Sequence, residues 1–256
     1  MNSALLTIIV GSAAFSAGFL NAIAGGGTFL TLPALMFAGV PPVAANATST
    51  IAVLPGYLGA TLGFRQELKQ LKRGQAVKLT IMSLAGGLIG AGLLLVTSNH
   101  AFQVLAPWLL LFATAAFAGG DQAQSWLRDR GVKAQDHLSL IVFGVSIYGG
   151  YFNGGLGIVL MACLTVAGIQ GINLINGLKN YLSLVLCVIS AVTFAFAGIV
   201  SWQYAVLMMV FATAGGYVGA IASKRVSKKI VRISVIIIGL SMSMLFFYKS
   251  FNGEIS

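Results

Sequence analysis

The 256-residue chain is 58% hydrophobic and only 8% charged, and its 15 Lys and Arg against 5 Asp and Glu give a net charge of +10. A soluble domain, where about a quarter of residues are charged, is excluded by this balance. Nucleic acid is excluded as the partner because the basic residues sit in short clusters between long uncharged stretches, at 1–64, 79–120, 137–178 and 180–223.

Each uncharged stretch holds runs of the roughly 20 apolar residues that cross a bilayer as a helix. In chain order, long helices are expected near 3–22, 42–64, 76–97, 102–120, 137–153, 173–197, 202–222 and 231–249. Two further apolar stretches, near 28–39 and 156–168, are only about a dozen residues each, the length of a half-span or re-entrant helix. The fold class expected is all-α: a polytopic membrane helix bundle of about eight long and two short helices. An outer-membrane barrel would alternate apolar and polar residues, which these runs do not. No basic leader precedes the first run, so it is expected to stay as the first helix.

Three basic clusters separate the helices: Arg65, Lys69, Lys72 and Arg73; Arg128, Arg130 and Lys133; and Lys224, Arg225, Lys228 and Lys229. The positive-inside rule puts all three in the cytoplasm of a multi-pass inner-membrane protein. Cys163 and Cys187 lie in apolar runs without a second pair at metal spacing, which favours buried free thiols over a zinc site. No metal or other cofactor is expected.

The order of elements repeats. Residues 18–21 read GFLN and 150–153 read GYFN; glycines follow both, Gly25, Gly26 and Gly27 before Thr28 in the first half, and Gly154, Gly155 and Gly157 in the second. A polar group comes next in each, Asn46, Thr48, Ser49 and Thr50 against Asn173, Asn176, Lys179 and Asn180. Loop charges are reversed between the halves, so residues 1–130 and 131–256 are expected as inverted repeats with both chain ends outside.

Inverted repeats place a substrate where discontinuous helices meet. The two glycine breaks are the expected site, since bare backbone amides at the start of a helix suit an anion. The plainer use of glycine is close helix packing, which is the expected role of Gly90, Gly92, Gly215, Gly216 and Gly219. Lys179 is a charge deep in an apolar run, at a cost of about 2.5–3.5 kcal/mol unless it meets water, a partner or an anion, or snorkels to an interface. Asn21, Asn153, Asn46 and Asn176 flank the breaks, either donating to an oxyanion or capping and bridging helices.

Residues 24–50, AGGGTFLTLPALMFAGVPPVAANATST, resemble the sulfite exporter TauE/SafE family of membrane transporters, with a fainter echo at 153–180, NGGLGIVLMACLTVAGIQGINLINGLKN. The resemblance implies export or uptake of small sulfur oxyanions or organosulfur anions such as sulfite, sulfoacetate or other sulfonates. It also implies binding at the glycine breaks and the Asn/Thr/Ser segments. Lys179 stands where the first half has small hydroxyl residues. Alternating access by rocking or sliding of the two halves is the expected mechanism, and with His100 and His137 near helix ends no proton relay is apparent. An anion channel, a membrane assembly protein and a membrane enzyme are the rivals, the last lacking any suggestive cluster of catalytic residues. A homo-oligomer is compatible with the sequence.

Overall fold

The structure, a computed structural model, describes residues 3–23, 26–129, 137–223 and 228–251. These residues form helices and connecting turns. The helices are α1 (Ser3–Ile23), α2 (Thr28–Phe37), α3 (Pro42–Ala52), α4 (Leu54–Gly63), α5 (Arg65–Leu68), α6 (Arg73–Val96), α7 (Asn99–Asp129), α8 (Leu138–Tyr151), α9 (Leu156–Val166), α10 (Ile172–Phe196), α11 (Trp202–Ser223) and α12 (Lys228–Phe251).

Among the described residues, three helices are long and apolar enough by themselves to cross a membrane, within Leu5–Ala22, Arg73–Val96 and Ile172–Phe196. Their outward faces are also apolar, with Ile8, Leu88, Leu93 and Val188 exposed, as are those of α7 and α11, with Trp108, Val206 and Val210 exposed. Water does not tolerate so broad an exposed apolar surface, and lipid tails do.

The run expected as one helix over 42–64 is broken. Pro55 has no N–H to donate to the Ile51 carbonyl, and the chain restarts as α4 after Val53. The four-residue α5, with Arg65 and Glu67, lies within the stretch read from the sequence as a basic loop.

Glycine contacts fix the directions of the helices. A Cβ on Gly215 would lie 1.9 Å from the Phe15 carbonyl oxygen, and one on Gly219 would lie 2.6 Å from that of Phe19. The register advances in step on both helices, so α1 and α11 run parallel with their backbones touching. In the same way Gly86 meets Phe143 at 2.6 Å and Gly90 meets Ile147 at 2.2 Å, so α6 and α8 run parallel. Phe64 against Gly177 and Tyr57 beside Ser183 make α4 and α10 antiparallel. Removal of side chains is what permits such approach. Gly92 and Gly216 do not share the role: a Cβ on Gly92 meets nothing within 4 Å, and one on Gly216 only the Gly18 carbonyl oxygen at 3.7 Å.

Gln70, Leu71, Lys72 and Gln75 share a cavity of about 510 Å³ with Gly168, Ile169, Gln170 and Leu174, which puts the starts of α6 and α10 on one side. Since α10 rises from that side and α11 returns, α11 and its parallel neighbour α1 both end there. At the opposite side the Val43 N–H donates to Asn99 Oδ1 at 3.1 Å, joining the start of α3 to the start of α7. The short α2 therefore turns back from α1 towards the start of α3, and α9 turns back from α8 towards the basic side. Of the expected basic clusters, Arg65 to Arg73 lies wholly in the described structure, whereas Arg130, Lys133, Lys224 and Arg225 fall outside the described residues.

Candidate functional site

The two glycine breaks meet. A Cβ on Gly26 would lie 3.0 Å from Ile158 Cδ1, and one on Gly155 would lie 2.9 Å from Phe29 Cζ. The pairing is reciprocal and antiparallel, so the first turns of α2 and α9 overlap with their N-termini facing one another. The Thr28 hydroxyl donates to the Asn153 carbonyl at 2.9 Å, and the same carbonyl accepts the Leu156 N–H at 3.3 Å. One oxygen thus ties both breaks together.

Local backbone explains the break in each half. Gly155 is the residue before α9 and has φ +71°, a left-handed conformation that only glycine enters without strain. A Cβ on Gly27 would collide with the Ala17 carbonyl oxygen at 2.1 Å, which lets α2 fold back along α1. Neither short helix has a side-chain cap. Each N-terminus carries about half a positive charge, and two of them brought together repel unless negative charge lies nearby.

Polar side chains gather at this junction. Asn153 is fully buried; Cys187 Sγ lies 3.8 Å from its Oδ1, and its Nδ2 has no hydrogen-bond partner. The Tyr57 hydroxyl lies beside the side chains of Asn21 and Ser183 and near Cys187. Ser183 is also fully buried, and its hydroxyl makes no hydrogen bond. Ser49 shares a 2.6 Å hydrogen bond with Thr31, one turn along α2 from Thr28.

Lys179 is 2% exposed and makes no hydrogen bond or ion pair among the described residues. It precedes Ser183 and Cys187 by one and two turns of α10, so the three line one side of that helix. The Lys179 side chain is held almost wholly within the protein. Glu67, the one acidic residue whose side chain is described, is half-buried on α5.

Other expected site residues are engaged elsewhere. The Thr48 hydroxyl donates to the Ala44 carbonyl at 2.7 Å and accepts the Ser201 N–H at 3.1 Å, so it serves the approach to α11. Asn46 Nδ2 donates to the Tyr151 carbonyl at 3.0 Å, an interhelical bond two residues before Asn153. Asn176 is half-buried, and its carbonyl accepts Asn180 Nδ2 at 2.9 Å. The Gly154 carbonyl accepts the Tyr148 hydroxyl at 2.5 Å. Gly25 lies outside the described residues.

Tyr57 and Ser183 were not singled out from the sequence, and Cys187 was read there only as a buried free thiol. For the last two a signal existed, since they follow Lys179 at i+4 and i+8. Tyr57 reaches the junction only because α4 crosses α10, which no local pattern encodes.

Comparison with known proteins points to membrane transporters. The chain is 29% identical over 239 residues to a probable membrane transporter protein, ORF9, of Sinorhizobium sp, covering 91% of this chain and 88% of the relative. It is 27% identical over 246 residues to a probable membrane transporter protein of Haemophilus influenzae, covering 90% and 89%. With the probable membrane transporter protein YfcA of Escherichia coli it shares 28% identity over 263 residues, covering 100% and 94%. No solved structure matches the chain. The family model described as sulfite exporter TauE/SafE matches residues 10–246, and the chain, a multi-pass membrane protein, belongs to that family of membrane transporters.

Proposed function

We propose that the chain is a secondary transporter of small anions, with sulfite, sulfoacetate and other sulfonates as its first candidates and export across the inner membrane as its direction. The observation that carries this reading is the meeting of two short-helix N-termini, one from each half, beside the unpartnered Asn153 Nδ2 and Ser183 hydroxyl. Every one of these groups can donate to an oxyanion. Lys179 adds a buried positive charge that makes no ion pair among the described residues. A cation site needs oxygen ligands and negative charge, and the junction offers neither in carboxylate form.

An inverted-repeat transporter is supported by the packing. The first helix of each half rests on the third long helix of the other, α1 on α11 and α8 on α6, and the two fourth long helices, α7 and α12, pack on each other. Because these contacts join backbones across the halves, residues 1–130 and 131–256 do not rock as two intact units. The moving bodies instead combine helices of both halves, and the α2–α9 contact is where they separate. A disulfide between cysteines placed at 11 and 211, inside the α1–α11 pair, is expected to leave transport intact. A disulfide between 26 and 158, across the two breaks, is expected to stop it. Equal transport with both cross-links would overturn this division.

The test of the function itself is thermal unfolding of the purified protein in detergent against sulfite, sulfoacetate, other sulfonates, sulfate and small carboxylates. A ligand of the folded state raises the transition temperature by mass action. A selective rise with sulfur oxyanions is expected; no rise with any anion at high concentration would remove the anion reading.

A further inference from the structure

Cys187 and Cys163 are both free thiols, but only Cys187 is wholly buried against a polar group. Its Sγ lies 3.8 Å from Asn153 Oδ1. Asn153 has no exposed surface, its main-chain carbonyl already accepts two hydrogen bonds, and its Nδ2 has no partner. A buried amide nitrogen without an acceptor is costly, by about 1–3 kcal/mol, and such a group asks for an explanation.

The neighbour decides which end of a carboxamide faces it. A thiol donates weakly and is a poorer acceptor than oxygen, so S–H to Oδ1 is the favoured contact and N–H to sulfur is not. With Oδ1 held by Cys187, the two Nδ2 hydrogens are left beside the N-termini of α2 and α9. Were the thiol absent, the amide would be free to turn over and present its oxygen, an acceptor, to an incoming anion.

We infer that Cys187 is a positioning residue that holds the Asn153 carboxamide with its Nδ2 donor towards the anion. The inference rests on the anion-transport reading above. It gives a role to a thiol that composition alone assigns to inert packing, and the unpartnered, fully buried Nδ2 is the second observation that requires it.

Two measurements test it together. The first is the infrared S–H stretch in a Cys163→Ala protein, where Cys187 supplies the only thiol. The band is expected at lower frequency than a free thiol and is expected to move up in the additional variant Asn153→Ala. The second is the thermal response to sulfite and sulfoacetate. Cys187→Ala is expected to need about tenfold more anion for the same rise, as one lost hydrogen-bond donor implies. Cys187→Ser, whose hydroxyl can donate to the same oxygen, is expected to restore the response, with the anion-free transition unchanged. A Cys187→Ala protein that responds as the parent does, or an S–H band indifferent to Asn153→Ala, would overturn the inference. If Cys187→Ala does not fold, the serine variant and the infrared band still decide it. A parent protein that responds to no anion would instead remove the transport reading and the positioning role with it, even where the infrared band still reports a bond between thiol and amide.

Discussion

Lys179→Gln is expected to abolish the anion-dependent rise in thermal stability and to reduce transport in proteoliposomes to background, while the protein folds at least as well as its parent. The two halves of this expectation come from the same observation. Lys179 is buried, without a hydrogen bond or ion pair among the described residues. A charge kept in such a place destabilises the protein when no anion is bound, so a neutral amide of similar length relieves that cost. The bound anion, by contrast, loses a charge-assisted hydrogen bond of about 1.5–3 kcal/mol, or roughly 10–100-fold in affinity. A merely structural lysine would behave in the opposite way, with stability falling and the anion response intact. Unchanged binding in Lys179→Gln would take Lys179 out of the site.

Lys179 was legible in the sequence because a lone charge in an apolar run is conspicuous. The partners of the site were much less so. The glycine breaks at 26–27 and 154–155 show in the chain as interruptions of hydrophobic runs, and the short helices that follow are found at 28–37 and 156–166 against the expected 28–39 and 156–168. Hydrophobic length carries that information directly. Which side chains face the junction is a different kind of fact, set by contacts between residues more than a hundred positions apart, such as Thr28 with Asn153. Asn46 and Asn153 are both read from the sequence as flanking the breaks, yet Asn46 Nδ2 bonds a carbonyl and Asn153 Nδ2 bonds nothing. Thr48, one residue from Ser49, points to the approach of α11. Successive residues on a helix are turned by about 100°, so a polar cluster in the sequence is distributed over several faces in space. The same limit concealed the break at Val53, where the run stays apolar through the proline that ends it.

That turn of the helix also makes the sharpest test of the packing. Gly90 and Gly92 lie two positions apart on α6, so they face nearly opposite sides. A Cβ on Gly90 would stand 2.2 Å from the Ile147 carbonyl oxygen and 2.7 Å from the Tyr151 nitrogen, both main-chain atoms that cannot rotate away. Gly90→Ala must therefore push α8 from α6, at a cost of roughly 1–3 kcal/mol or more, and because α8 leads into the Asn153 break it is expected to weaken anion binding as well. At Gly92 nothing lies within 4 Å, and alanine there removes only the flexibility that glycine gives to a helix, a gain of about 0.5–1 kcal/mol. The identical substitution is thus expected to change stability in opposite directions, readable as thermal unfolding and as the folded fraction on gel filtration. If Gly90→Ala were as stable as the parent, the backbone contact between α6 and α8 would be wrong, and with it the locking of each half against the other that forces the moving bodies to be shared between them.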